Sequence, residues 1–440
     1  MKKQDFLKGA ITIAFGGFIA KLIGALYRIP LTNLIGGRGI GLYQMAYPFY
    51  CLLLTISATG IPSSIAAIQG AEESKGEHAR RVLSPALRLF LTIGGVGTLL
   101  MLVLSKTLAR LQGEPALKWG YLALAPSVFL TSGISVFRGW FQGKNNMFPT
   151  ALSEIVEQVV KVGVGLLFAY LYRANVEKAV AMLLLAVSIS ELVAFLGMVA
   201  LYKRVPAPTL WNRTRTRVRA KEILKMSVFV TLSSALLPLS NLVESVMLVR
   251  LMDRYTENAV SLYGLFSGGA VTLINLPVSV CYGLAVASVP AVSQTDEQGE
   301  RTGVRKKILY ALLLTLLVSV PCSVALNTLA PTVVNLVYRA LMEREKQTLV
   351  ALVRAFSVSA VSLSCLQTLS ACLTAQGKPK YALCSTAIGA VIKLGLDFGL
   401  VRNPSFSIMG AVIASNVCYA FVFFLNLIFN LRLTARKQTS

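Results

Sequence analysis

Runs of apolar residues long enough to cross a bilayer follow one another along almost the whole chain, separated by short polar segments. A transmembrane α-helix needs about 20 apolar residues. Lipid offers no partners for unpaired backbone groups, so each run is typical of a spanning helix. The pattern therefore predicts an all-α polytopic membrane protein with about 12 transmembrane helices. These helices are placed near residues 9–32, 43–68, 84–105, 119–141, 149–172, 179–202, 223–249, 261–290, 307–330, 349–374, 381–401 and 408–431.

The composition supports the same class. Of the 440 residues, 55% are hydrophobic and only 14% are charged, and the mean hydropathy is +0.67. Soluble domains average about 25% charged residues and cannot bury this much apolar surface. The chain must therefore use lipid as its solvent.

Positive charge is concentrated in the loops on one predicted side of the membrane. The formal net charge is +24, and residues 203–221 contain seven Lys or Arg and no acid. Because basic loops tend to stay in the cytoplasm, both termini are predicted to be cytoplasmic. The loops suit anionic membrane lipids, and no aromatic-interleaved basic fold accompanies them, so we expect no nucleic-acid partner. The other basic clusters on this side are Lys75, Arg80 and Arg81; Arg301, Arg305, Lys306 and Lys307; Lys378 and Lys380; and Arg432, Arg436 and Lys437.

Neither cysteine nor histidine chemistry is indicated. The seven cysteines all fall inside predicted spans, without CxxC or metal-ligand spacing, which is typical of small apolar packing residues. The single histidine, His78, lies in a predicted cytoplasmic loop. The chain therefore lacks the histidines and cysteines that a proton relay or a zinc site needs, and we expect no metal, cofactor or catalytic residue.

Four pairs of similar segments predict an internal repeat, with two homologous six-helix bundles related by an axis along the membrane normal. We assign residues 1–203 to the first bundle, 204–221 to a basic cytoplasmic linker and 222–440 to the second bundle. The pairs are GLYQMAYPF at 41–49 with SLYGLFSGG at 261–269, IPSS at 61–64 with VPAV at 289–292, QGK at 142–144 with QGK at 376–378, and Lys161 with Lys393.

Charged residues inside the predicted spans mark a candidate substrate site, because each costs roughly 2.5 to 3.5 kcal/mol at mid-membrane. Lys21 and Arg28 lie seven residues apart, hence on one face of the first span, which carries no acid. They predict an anion site in the first bundle, and the planar guanidinium suits a phosphate or pyrophosphate. The alternative is pairing of these cations with acids of the same bundle. The substrate-site candidates are Lys21, Arg28, Lys161, Glu157 and Glu191.

The second bundle carries a candidate site for ion coupling or gating. Glu244 and Asp397 lie in its predicted spans, with Asn241 and Lys393 each one turn before one of these acids. Oxygen ligands from two helices would suit Na⁺ or H⁺ and bias one conformation over the other. The alternative is a fixed ion pair between Lys393 and Asp397, which are spaced i, i+4.

Three segments resemble one known family. Residues 21–66, KLIGALYRIPLTNLIGGRGIGLYQMAYPFYCLLLTISATGIPSSIA, resemble the opening of the stage V sporulation protein B family, whose relatives are the lipid II flippases of the multidrug/oligosaccharidyl-lipid/polysaccharide (MOP) exporter superfamily. Residues 139–162 resemble the family's fourth-to-fifth helix turn, and residues 236–252 resemble its seventh helix. The resemblance implies two six-helix bundles forming a V, as in MATE-like exporters, in a bacterial cytoplasmic membrane.

The same resemblance implies a cargo and positions for its contacts. The implied cargo is a polyprenyl-pyrophosphate-linked saccharide, such as the cell-wall precursor lipid II or a polysaccharide precursor. The family's basic positions in the first helix fall on Lys21 and Arg28, its acidic position in the seventh helix on Glu244, and a polar position of the eleventh helix on Asp397. The first basic position is more commonly arginine in the family, and lysine lacks the bidentate fork.

Three functions fit these observations. The first is an alternating-access flippase for a lipid-linked saccharide, working as a monomer and driven by Na⁺, H⁺ or the membrane potential. The second is a MATE-type cation-coupled exporter of drugs or metabolites. The third is a membrane enzyme that assembles lipid-linked sugars, but the longest loop is predicted to be cytoplasmic and no DxD motif occurs. We therefore expect a transporter rather than an enzyme.

The predicted topology can be tested with single cysteines. Cysteines introduced at Arg213 and Gln298 should react only with reagents that enter the cytoplasm, and those at Gly37 and Asn258 should react from outside, because the basic loops face inward. The measurement is whether an impermeant maleimide, added to intact cells, reacts with each introduced cysteine and blocks its later labelling. Labelling of position 213 from outside would reverse the orientation.

Overall fold

The computed structural model describes residues 3–74, 80–205 and 220–435. These ranges are almost entirely α-helical and contain no β-strand, which confirms the all-α class. His78 and Arg213 lie outside them. The helices are Lys3–Leu54 (α1), Ile61–Ser74 (α2), Arg80–Leu111 (α3), Leu117–Gly143 (α4), Phe148–Leu171 (α5), Val176–Lys203 (α6), Ala220–Met252 (α7), Ala259–Gly264 (α8), Val271–Glu297 (α9), Arg301–Thr328 (α10), Ala330–Val337 (α11), Glu343–Ala375 (α12), Pro379–Val401 (α13) and Met409–Ala435 (α14).

The predicted spans coincide with these helices. Within the described ranges, ten helical stretches are long and apolar enough to cross a membrane. One of them, Leu22–Ala66, overlaps both of the first two predicted spans. The fifth predicted span is α5, which is not among the ten because it carries three charged residues, Glu154, Glu157 and Lys161. The number of helices thus agrees with the predicted number of about 12.

The first two predicted spans are joined by a break in one helix rather than by a loop. Helix α1 continues through this region and is interrupted only at Gly36, where φ is 68° and ψ is −177°. This combination is accessible essentially to glycine alone, since a Cβ would collide with the backbone. After α1, the π-helical segment Thr55–Thr59 leads into α2, and the π-helical segment Leu265–Ala270 similarly joins α8 to α9.

The chain forms two compact units. Unit 1 comprises Met1–Gly24 and Leu42–Val243, and unit 2 comprises Ala25–Gly41 and Glu244–Ser440. The predicted bundle boundaries at 203 and 222 stay a prediction. The units divide the chain at other points, because a segment of α1 belongs to unit 2 and the first part of α7 belongs to unit 1.

Unit 1 is built around α4. This helix packs against α2, α3 and α6, and α5 packs against α6. Its core includes Phe90, Phe137 and Trp140, all buried. The second part of α1 is anchored at Gln112, whose side-chain amide donates to the Met45 carbonyl (2.9 Å) and accepts from the Tyr121 hydroxyl (2.6 Å).

Unit 2 repeats this packing order around α12. Helix α12 packs against α9, α10 and α14, and α13 packs against α14. Two buried asparagines of α14 fix the arrangement: Asn426 accepts from Ser385 and donates to Ser370, and Asn430 accepts from Gln376. Hydrogen bonds from side-chain amides join helices in membranes, where lipid supplies no hydrophobic force between the helices. The repeated order agrees with the two homologous bundles that the sequence predicts.

Glycines hold the α1 segment of unit 2 against α8. A Cβ at Gly41 would collide with the carbonyl oxygen of Val260, and a Cβ at Gly264 would collide with that of Gly37. Small residues four apart let two helix backbones approach closely. Asn33 adds two hydrogen bonds, donating to the Val337 carbonyl (2.7 Å) and accepting from the Ala340 amide (3.1 Å). Because Gly37 is buried, exposed Asn258 is the better outside reporter of topology.

This contact predicts that Gly41→Ala lowers stability. The added methyl group meets backbone atoms, which cannot rotate away, so we expect a loss of about 1 to 3 kcal/mol. The measurement is the thermal midpoint of the purified protein in detergent. Gly399→Ala is the matched control, since nothing lies within 4 Å of its Cβ position and the substitution removes a helical glycine. Equal midpoints for the two variants would contradict the close contact.

Candidate functional site

The first charged cluster of unit 1 joins α4 to α5. The Arg138 guanidinium contacts the Glu157 carboxylate (3.3 Å) and donates to the Ser153 hydroxyl (2.9 Å). Glu157 also accepts from the amide of Gln158 (3.2 Å). Glu157 is therefore the counter-ion of an arginine that was not among the predicted site residues. The signal for it was present, because Arg138 is a charged residue inside the fourth predicted span.

The second part of this cluster is Glu191 of α6. Glu191 is buried, and its Oε1 accepts a hydrogen bond from the Tyr50 hydroxyl (3.3 Å). Arg138, Glu157 and Lys161 lie within electrostatic reach of it. Lys161 is itself buried. The structure thus brings together Glu157, Lys161 and Glu191, three of the five predicted substrate-site residues, in unit 1.

The two cations of the first helix fall in different units. Lys21 belongs to unit 1 and Arg28 to unit 2, because the division between the units falls after Gly24. The Lys21 side chain lies outside the described part. The alternative, in which the cations of the first helix pair with Glu157 or Glu191, stays a prediction; within unit 1, Glu157 pairs with Arg138 and Glu191 accepts from Tyr50.

Arg28 lies among tyrosines of unit 2. It is within electrostatic reach of Tyr263 and Tyr338, both buried. The guanidinium makes no hydrogen bond or ion pair with the residues that the structure describes, and the residue is half-buried. Tyr263 was not predicted as a site residue, although it stands in the SLYG segment that revealed the repeat.

The predicted ion site of unit 2 is a three-residue cluster. The Lys393 ammonium contacts the Glu244 carboxylate and lies 3.5 Å from Oδ2 of Asp397. All three side chains are buried. Asn241, the fourth predicted residue, is exposed one turn before Glu244.

This geometry supports the ion-pair alternative in a broader form than the sequence indicated. The sequence predicted a pair of Lys393 with Asp397 on one helix, whereas Lys393 also contacts Glu244 of α7. An ammonium between two carboxylates occupies the position that a dissolved cation would need. Coupling to Na⁺ or H⁺ at these residues stays a prediction.

Comparison with known proteins identifies the family. The family model described as "Polysaccharide biosynthesis protein" matches residues 6–296, more than half of the chain. The chain belongs to this polysaccharide biosynthesis protein family. A second model, MatE, matches residues 230–398.

Individual relatives agree with this membership. Stage V sporulation protein B of Bacillus subtilis (strain 168) is 28% identical over 428 residues, which cover 94% of this chain and 81% of the relative. The fold resembles an inward-facing multidrug resistance MATE family transporter of the MOP superfamily, with a TM-score of 0.79, 19% identity and 96% of both chains covered. It also resembles lipid II flippase MurJ in an inward closed conformation, with a TM-score of 0.73, 16% identity, and 95% of this chain and 87% of that chain covered. The chain thus has the fold of these transporters, and its apolar helices make it a multi-pass membrane protein.

The Lys393 cluster predicts how stability responds to charge and to sodium. Lys393→Ala leaves two buried carboxylates without their cation and should cost about 3 to 5 kcal/mol. Wild-type stability should be the same in NaCl and KCl, because the ammonium already occupies the site. Thermal midpoints in the two salts measure both effects, with Lys380→Ala, an exposed lysine of the same helix, as control. A sodium-specific rise of the wild-type midpoint would restore the ion-site interpretation.

Proposed function

We propose that this exporter is a flippase that moves a polyprenyl-pyrophosphate-linked saccharide across the bacterial cytoplasmic membrane by alternating access. The observation that carries the proposal is the family match over residues 6–296, which belongs to polysaccharide biosynthesis rather than to drug export. The similarity to stage V sporulation protein B over 94% of the chain supports it. Both termini are taken to be cytoplasmic, and the protein to act as a monomer.

The headgroup of such a cargo carries negative charge that must be held inside the membrane. Arg28 supports this role, because its guanidinium is half-buried and makes no ion pair or hydrogen bond with the described residues. A guanidinium donates two parallel hydrogen bonds to a phosphate, which an ammonium does not. We assign the principal pyrophosphate contact to Arg28, with Lys21 and Lys161 as additional cations.

The acids of the predicted site are less suited to the cargo than to balancing these cations. Glu157 is engaged by Arg138, and Glu244 and Asp397 are engaged by Lys393. A cationic drug needs unengaged acids as its partners. Glu157, Glu244 and Asp397 already have cations among the described ion pairs, which favours an anionic cargo over a cationic drug.

The membrane potential acts on the charge of an anionic cargo and so contributes to the free energy of its transport. Moving one elementary charge through a potential of 100 mV changes its free energy by about 2.3 kcal/mol. The membrane potential, negative inside, therefore favours outward movement of an anionic headgroup. Anionic lipids at the basic cytoplasmic loops complete the set of proposed partners.

The flippase proposal is tested by Arg28 variants in a bacterial strain that lacks its own flippase. Arg28→Ala should abolish complementation, and Arg28→Lys should restore it only partly, because lysine keeps the charge but loses the fork. Membrane protein level is measured in parallel by immunoblot. Arg402→Ala, an exposed arginine of unit 2, is the matched control and should complement fully.

Two results decide the proposal. Native mass spectrometry of the wild-type protein should detect a bound polyprenyl-pyrophosphate species that Arg28→Ala loses. Full complementation by Arg28→Ala at a normal protein level would show that this cation is structural. If the purified protein carries no such lipid and expression of the wild type makes cells resistant to drugs, the MATE-type exporter is favoured.

A further inference from the structure

One buried acid of the described structure stands apart from the others. Glu191, Glu244 and Asp397 are each at most 9% exposed. Glu244 and Asp397 contact the Lys393 ammonium, whereas Glu191 makes no ion pair with the described cations. The Tyr50 hydroxyl donates to Oε1 at 3.3 Å, the Thr131 hydroxyl also interacts with the carboxyl group, and Oε2 has no close hydrogen-bond partner among the described residues.

The surroundings of Glu191 do not supply the missing cation. Helix α6 packs against α4 and α5, and Tyr50 reaches it from α1. From α4 it is faced by Thr131 and Arg138, and from α5 by Glu157 and Lys161. Arg138 is held by Glu157 and Ser153. None of these groups makes an ion pair with Glu191, although two of them are positively charged.

The physical consequence concerns the charge state of this carboxyl group. An ionised carboxylate that is buried without an ion pair loses its hydration and gains only hydrogen bonds with neutral hydroxyl groups in return. The neutral acid avoids the free-energy cost of burying a charge. Because Oε1 accepts from Tyr50, it takes the part of the carbonyl oxygen, and Oε2 is left to carry the hydrogen.

We propose that Glu191 is a proton-binding site in unit 1, with the proton on Oε2 and Tyr50 positioning the carboxyl group through Oε1. The two units then neutralise their buried acids differently. Unit 2 uses the ammonium of Lys393, which is part of the chain, and unit 1 uses a proton that exchanges with water. An exchangeable proton couples the conformational cycle of an exporter to pH, whichever substrate it moves, so this inference is independent of the proposed cargo.

Infrared spectroscopy of the purified full-length protein in detergent tests the proposal without a substrate. The wild type at neutral pH should show the C=O stretching band of a protonated carboxyl group. Glu191→Gln should remove this band, while Glu157→Gln and Asp397→Asn, the matched controls, should retain it. Tyr50→Phe should move the band to higher wavenumber, because the carbonyl oxygen loses its donor.

Incubation in D₂O tests whether the proton exchanges. An exchangeable proton gives a band that shifts to lower wavenumber within the incubation. Three results would overturn the proposal: no band that Glu191→Gln removes, a band that Tyr50→Phe leaves unmoved, or a band that D₂O never shifts. The last would describe a trapped structural proton, and unchanged thermal midpoints would show that the variants are folded.

Discussion

A charge inside the membrane is costly unless an opposite charge balances it, and this constraint explains the ion pairs of both candidate sites. In unit 2, Lys393 of α13 meets Glu244 of α7 and Asp397, so one ammonium serves two acids. In unit 1, Arg138 and Glu157 join α4 to α5. Removing one member of such a set leaves an uncompensated buried charge, so these ion pairs hold the helices together.

Arg28 is the exception that points to cargo. Its guanidinium lies beside Tyr263 and Tyr338 and makes no ion pair with the described residues. A cation in this position is costly unless something else neutralises it during the transport cycle. In the proposed function the phosphate of a lipid-linked saccharide meets that need, which agrees with membership of a polysaccharide biosynthesis protein family.

The two units share a packing order and differ in chemistry. In both, a central helix packs against three others, and a lysine at the equivalent position, Lys161 or Lys393, is buried. Lys393 meets two acids on α7 and α13, whereas the acids around Lys161 include Glu157, which Arg138 already engages. Repetition of the helices therefore did not preserve the ion pairs.

The sequence by itself determined the class, the helices and the residues to be explained. Apolar runs mark helices because lipid excludes unpaired backbone, and the family resemblance followed from residues 21–66. It also identified every charged member of the Lys393 cluster, since charges inside spans are conspicuous. Only the tertiary structure decided the partners. Arg28 and Lys21 share a helix face in the sequence but belong to different units, because glycine contacts at Gly41 and Gly264 hold that segment of α1 to α8. Helical periodicity is local, whereas pairing depends on which helices meet.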